Sequence, residues 1–142
     1  MKENKISVII SVFNCSSTLY EALDSLYSQT YNNFTLIICD DASTDNTYDL
    51  AKKYLKDKSH VLIRNSENLG LGASLNKCLS HVKTEYVARM DGDDISLPNR
   101  FEKQLDFLEK KYKIKLKFGG KDLGIFKTKR IPLKFKKNEK VE

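Results

Sequence analysis

Two runs, ISVIISVF at residues 6–13 and FTLIIC at 34–39, are apolar at nearly every position rather than at every second one. A strand covered on one face alternates apolar and polar residues; a run with almost no polar face belongs to a strand buried on both sides, as in a parallel sheet between helix layers. Two shorter runs, HVLIR (60–64) and EYVARM (85–90), share the Val, Ile and aromatic enrichment and are bounded by polar turns. Between the runs the apolar period changes to that of a helix. Leu19, Ala22, Leu23, Leu26 and Tyr27 share one helical face, and Thr18 with Glu21 has the form of a capping box at its start. Ser43 or Thr44 can cap a second helix through Tyr48, Ala51 and Leu55. A third carries Leu71, Leu75, Cys78, Leu79 and Val82 on one face. A fourth, capped by Ser96 and taking Pro98 in its first turn, buries Phe101, Leu105 and Leu108. The order βαβαβαβα predicts an α/β fold: a doubly wound, mostly parallel sheet with right-handed crossovers and helices on both faces.

The pattern changes near residue 112, which divides the chain into 1–112 and a tail, 113–142. Residues 1–109 hold 12 basic and 16 acidic side chains, a net charge of −4, whereas 110–142 hold 13 and 3, a net charge of +10. The basic character therefore belongs to the tail, where IKLKF and IPLKFKK alternate apolar residues with lysine around a GGKDLG turn, as edge strands do. Such a stripe suits a sheet edge awaiting a cover, a peripheral contact with anionic lipid, or nucleic acid; no nucleic-acid module accompanies the lysines, which argues against the last.

A length of 142 residues with 40% hydrophobic content suits one folded domain. No run approaches the roughly 20 apolar residues of a membrane span. ISVIISVF follows the basic MKENK but leads into no small-residue cleavage site, so it reads as a strand and not a signal sequence. Cys15, Cys39 and Cys78 are odd in number, far apart and never in a CxxC pair. That excludes a disulfide framework and a zinc site and predicts small packing residues in a reducing cytoplasm.

In an open parallel sheet, ligands bind beyond the carboxyl ends of the strands. Three polar clusters fall there: Ser11 and Asn14 after the first strand, Asp40 and Asp41 after the second, and Asp91, Asp93 and Asp94 after the fourth. Asp40 and Asp41 can accept hydrogen bonds from a base or ribose. Carboxylates as crowded as Asp91, Asp93 and Asp94 repel one another unless positive charge sits among them, and the Asp91/Asp93 pair suits a hard, oxygen-seeking cation that would hold a diphosphate.

Other readings fail on the letters. An EF-hand starting at Asp91 would need glycine where Ser96 stands, and Pro98 intrudes. GLGASL places Leu75 where a dinucleotide fingerprint needs its third glycine, and no strand runs directly into it. A phosphatase using Asp91 as nucleophile would follow the aspartate pair with Gly-Thr or Gly-Val, which DGDDIS lacks. His60 and His81 belong to no nucleophile pattern, the first opening a strand and the second facing solvent.

Taken in order, ISVIISVFN, SLYSQTYNNFTLIICDDASTDNT and RNSENLGLGASLNKCLSHVKTEYVARMDGDDISLPNRFEKQ closely resemble the family 2 glycosyltransferases of the GT-A fold over about residues 4–112. The resemblance implies a Rossmann-like GT-A domain, truncated to its nucleotide-binding part. It implies that Ser11 lies by the uridine, where most relatives carry proline, and that Asp41 contacts the nucleobase with Asp40 nearby. It matches Asp91 and Asp93 to the DxD motif, with Asp93 coordinating Mn²⁺ or Mg²⁺ that bridges the donor diphosphate. The implied activity is inverting transfer of a sugar from a UDP-sugar to a glycan or lipid-linked acceptor, in surface polysaccharide or lipooligosaccharide synthesis at the cytoplasmic side of a bacterial membrane. The catalytic base of such enzymes comes from a later segment; in this tail only Asp122 and Glu139 precede the terminal Glu142, and neither sits in a matching motif. A non-catalytic nucleotide-sugar-binding remnant is the alternative expectation.

Overall fold

The computed structural model describes residues 4–55, 59–112 and 125–127. In chain order it contains β1 (Ile6–Val12), α1 (Leu19–Tyr27), β2 (Phe34–Asp40), α2 (Thr47–Tyr54), β3 (Val61–Arg64), α3 (Leu71–Leu79), β4 (Tyr86–Arg89), α4 (Arg100–Tyr112) and β5 (Ile125–Lys127). The sheet order is β3-β2-β1-β4-β5. The first four strands run parallel, with Val8 facing Leu36 on one side and Ala88 on the other, while β5 pairs antiparallel with β4. The expected doubly wound α/β sheet is therefore present. No helix among the described residues is long and apolar enough to cross a membrane.

The pleat sorts the apolar runs into two cores. Ile6, Val8, Ile10 and Val12 of β1 join Leu36 and Ile38 of β2, and Tyr86 and Ala88 of β4, on one face. This face is covered by α1 through Leu19, Leu23 and Leu26, by α2 through Ala51, and by α4 through Phe101, Leu105 and Leu108. The opposite face carries Ile9, Ile37, Cys39 and Val87 under Leu75 and Cys78 of α3. Burial of each such Leu or Ile contributes about 1.5–3 kcal/mol, so the central strands are apolar on both faces because each has a helix layer on either side. Cys39 and Cys78 pack here as buried free thiols, and Cys15 is half-buried.

Local helix chemistry departs from the sequence expectation. The Thr18 side chain makes no capping bond to α1; its hydroxyl is shared between the carbonyls of Gly92, at 3.0 Å, and Cys15, at 3.2 Å. Neither Ser43 nor Thr44 caps α2, which starts after Asn46. Ser96 and Pro98 precede α4 instead of opening it. The first turn of α4 is satisfied from α1's end of the fold, where Gln29 Oε1 accepts from the Phe101 amide at 3.2 Å and Gln29 Nε2 donates to the Leu97 carbonyl at 2.6 Å. A distant amide side chain thus replaces the local cap. In the tail, β5 falls between the two expected lysine-alternating strands; IKLKF, GGKDLG and IPLKFKK lie outside the described residues.

Candidate functional site

Strand order turns back between β1 and β4, and a crevice opens beyond their carboxyl ends at that point. A cavity of about 410 Å³ occupies it, lined by Ser11, Asn14, Cys15, Asp91, Gly92 and Asp93, with Thr18 and Leu71 at its sides. The structure thus brings the first and third sequence clusters to one space. Asp40 and Asp41 do not line it.

Asp91, Asp93 and Asp94 each offer a carboxylate oxygen, and these atoms lie within 4.8 Å of one another. Repulsion is offset on one side by Arg89, whose Nη2 donates to Asp91 Oδ1 at 3.0 Å from a side chain only 9% exposed. Arg89 is held in turn, since its carbonyl accepts from Arg100 Nη2 at 3.0 Å. An all-oxygen set of this kind fits Mn²⁺ or Mg²⁺ in donor chemistry. No local motif in the sequence announces Arg89 or Arg100 as partners of this loop; Arg89 ends β4 two positions before Asp91.

Glycine between the aspartates has a steric cause. A Cβ on Gly92 would stand 2.8 Å from Cys15 Sγ and 3.1 Å from Val12 Cγ1. The loop therefore lies flush on the β1–α1 turn, and the Thr18 hydroxyl bond to the Gly92 carbonyl keeps it there. Burial pushes the Cys15 thiol above its ordinary value, so at neutral pH it packs as a protonated thiol.

Asn14 adopts a left-handed φ of 47° at the exit from β1. Its side-chain oxygen accepts from the backbone of Thr44 at 2.8 Å and of Asp45 at 3.3 Å, while its backbone N–H donates to Ser43 Oγ at 2.9 Å. Its side chain therefore clips the loop after β2 to the loop after β1. Asp45 continues the clip, accepting from the Thr47 hydroxyl at 2.5 Å and the Thr47 amide at 2.9 Å; the hydroxyl bond is the main cause that holds its carboxyl down at about 2.

The two aspartates after β2 differ. Asp41 is buried with both oxygens engaged: Oδ1 accepts from the Leu69 amide at 2.7 Å and from Asn65 Nδ2 at 2.9 Å, and Oδ2 from the Gly70 amide at 2.9 Å. It thereby places negative charge at the start of α3, which has no side-chain cap of its own. Asn65 extends this layer to Ser74 Oγ at 2.9 Å and accepts from Lys77 Nζ at 2.7 Å, a buried network with no local motif to announce it. Asp40 is fully buried; its Oδ2 accepts from the Ser43 amide at 3.2 Å and faces Arg64 Nε at 3.6 Å. Its Oδ1 has no hydrogen-bond partner among the described residues. Between these aspartates and Ser43, Ala42 sits at φ 61°, a conformation that costs an L-residue about 1–2 kcal/mol.

This arrangement has known relatives. EpsE of Bacillus subtilis (strain 168), a protein named as a glycosyltransferase, is 54% identical over 108 residues, covering 75% of this chain and 39% of that protein. WfaP of Escherichia coli, named as a UDP-Glc:alpha-D-GlcNAc-diphosphoundecaprenol beta-1,3-glucosyltransferase, is 38% identical over 104 residues, covering 73% and 41%. The chain thus spans about two-fifths of the length of these relatives. Among solved structures, Staphylococcus aureus TarS 1–349 in complex with UDP superposes with a TM-score of 0.71 at 27% identity, covering 76% of this chain and 33% of that one. A Pyrobaculum calidifontis mannosyltransferase in complex with GDP-Man and Mn²⁺ superposes with a TM-score of 0.60 at 26% identity, covering 66% and 29%. The sequence profile described as Glycosyl transferase family 2 matches residues 7–139.

Proposed function

The chain belongs to glycosyl transferase family 2, and on that premise we propose that it is the donor-binding part of a metal-dependent enzyme that transfers a sugar from a nucleoside-diphosphate sugar, a UDP-sugar by our reading, to a glycan or lipid-linked acceptor in surface polysaccharide synthesis. The observation that carries the proposal is the trio of carboxylates within 4.8 Å of one another, two of which, Asp91 and Asp93, line the crevice between β1 and β4. Solved structures of similar proteins in complex with UDP and with GDP-Man and Mn²⁺ support the ligand class.

Breaking the bond between sugar and diphosphate leaves negative charge on the departing phosphate. A divalent cation held by Asp93 and Asp91 supplies the opposing positive charge when bound. The chain's own residues prepare for this. Arg89 orients Asp91, and Gly92 lets the loop lie close enough for Thr18 to hold it. Ser11 and Asn14 line the same cavity as the carboxylates, and we assign them to the nucleoside. On the nucleobase side we assign Asp41 and Asp40. Asp40 is fully buried and acts beneath the site, and Asp41, through its bonds to the Leu69 and Gly70 amides, sets the loop before α3. The same reading places the protein in the cytoplasm, where the net +10 of residues 110–142 would draw it to anionic lipid.

Calorimetric titration with UDP, with and without Mn²⁺, tests the assignment. Binding is expected to require the metal, and Asp93→Ala is expected to remove the metal-dependent part while circular dichroism stays unchanged, because Asp93 is exposed. Equal UDP affinity with and without metal, or metal dependence that survives Asp93→Ala, refutes it.

A further inference from the structure

From Asp93 to Asn99 only Ser96 is buried, and Ile95 and Leu97 stand 66% and 71% exposed, outside both core clusters. The segment that leads from the carboxylates to α4 therefore has almost no apolar packing of its own, and hydrogen bonds set its position. Both of its ends are tied to one helix. At the start of α1, the Thr18 hydroxyl donates to the Gly92 carbonyl at 3.0 Å. Toward the other end, Ser25 Oγ accepts from the Ser96 amide at 2.9 Å. Just past α1, Gln29 Nε2 donates to the Leu97 carbonyl at 2.6 Å, Gln29 Oε1 accepts from the Phe101 amide at 3.2 Å, and the Thr30 amide donates to the Pro98 carbonyl at 2.7 Å.

These tethers are themselves oriented. The Ser25 hydroxyl commits its hydrogen to the Ala22 carbonyl at 2.7 Å, so what it offers Ser96 is a lone pair. Gln29 is buried and meets a carbonyl with its nitrogen and an N–H with its oxygen, which only one orientation of the amide satisfies. The helix that carries them is packed onto the sheet through Leu19, Leu23 and Leu26. Asp93 and Asp94 lie between the two attachment points, and neither side chain makes a hydrogen bond or ion pair among the described residues. A ligand without partners of its own takes its place from the backbone that bears it. We propose that α1 is the frame of the metal site: Ser25 and Gln29 are positioning residues that keep Asp93 in coordinating reach beside Asp91, acting through Ser96, Leu97 and Phe101 and touching neither cation nor nucleotide. This rests on the donor reading above and adds to it the residues that set its metal affinity from behind the loop.

The test is calorimetry on the 142-residue chain, reading the Mn²⁺ concentration that half-saturates UDP binding. Losing a bond made directly to a metal ligand costs about 10–100-fold in metal affinity. The tethers act two or more residues further along the chain, so Ser25→Ala and Gln29→Met are each expected to raise the half-saturating Mn²⁺ by at least about fivefold. Leu79→Ala thins the core on the opposite face of the sheet and separates lost stability from lost positioning. It is expected to lower the urea midpoint and to leave the Mn²⁺ value within about twofold. Ser25→Ala is the milder variant and decides the matter if circular dichroism shows Gln29→Met unfolded. A folded variant of either residue that shifts the Mn²⁺ value less than fivefold, or a shift in Leu79→Ala as large as theirs, overturns this inference and leaves the donor reading standing. Absence of metal-dependent UDP binding in the unsubstituted chain overturns the donor reading and this inference with it.

Discussion

Gly92→Ala measures how tightly the carboxylate loop is seated. The φ of Gly92 lies outside the left-handed region, so alanine is permitted by the backbone and opposed only by space. Its Cβ would meet Cys15 Sγ at 2.8 Å, where ordinary contact begins at 3.4 Å, and Val12 Cγ1 at 3.1 Å. Relief requires the loop or the thiol to move by roughly 0.6 Å, and overpacking of this kind costs about 1–3 kcal/mol. Cys15→Ala removes the closer obstacle and leaves Cβ to Cβ at 3.8 Å, an ordinary contact. Alone, that truncation of a half-buried thiol costs under about 1 kcal/mol. The pair should therefore couple. In urea unfolding of the two single variants and the double variant, Gly92→Ala/Cys15→Ala should be at least about 1 kcal/mol more stable than the sum of the single costs. The cost that remains belongs to Val12. Metal-dependent UDP binding should follow the same order, weakened in Gly92→Ala and recovered in the double variant, because a displaced loop separates Asp91 and Asp93 from the turn that seats them. Single-variant costs that simply add would refute the steric account of this glycine.

Ala42→Gly relieves a left-handed alanine at φ 61° and should stabilise the protein by about 0.5–1 kcal/mol in urea unfolding, the gain being reduced by the freer unfolded glycine; a net loss would contradict this. Asp45 titrates at about 2 when folded, below its ordinary 3.8, so its contribution to stability is complete above about pH 4 and is lost as pH falls toward 2. Asp45→Asn should flatten that part of the stability–pH curve, and a curve as steep as before would remove Asp45 as its source.

The sheet was legible because its chemistry is written along the chain: a strand covered on both faces must be apolar at nearly every position, and β1 and β2 are. The collection of Ser11, Asn14, Asp91 and Asp93 at one crevice was legible too, since strand direction alone sends residues after β1 and β4 to the same edge. What the letters hid is who holds whom. Gln29 caps a helix that begins at Arg100, and Asp41 caps one that begins at Leu71, so neither satisfies a local pattern of the Ser-x-x-Glu kind. An aspartate that accepts from protein amides and one with an oxygen to spare are the same letter. Asp40 and Asp41 are both buried and could be told apart only by their partners. β5 is a three-residue strand defined by its pairing with Ala88, Val87 and Tyr86, and not by any period of its own.

The position of β1 also bears on how the chain is made. Ile6 pairs with Phe34 on one side and with Tyr86 on the other, so the innermost strand is made before either neighbour and receives the second of them late. At about 5–20 residues per second, the 51 residues between those two partners take roughly 3–10 s to emerge, during which one edge of β1 offers unpaired amides and carbonyls. That edge has the sequence ISVIISV, with no charge and no proline to deter another strand. The nascent protein therefore passes through an interval in which its best-buried element is its most adhesive one, and that interval ends when β4 arrives.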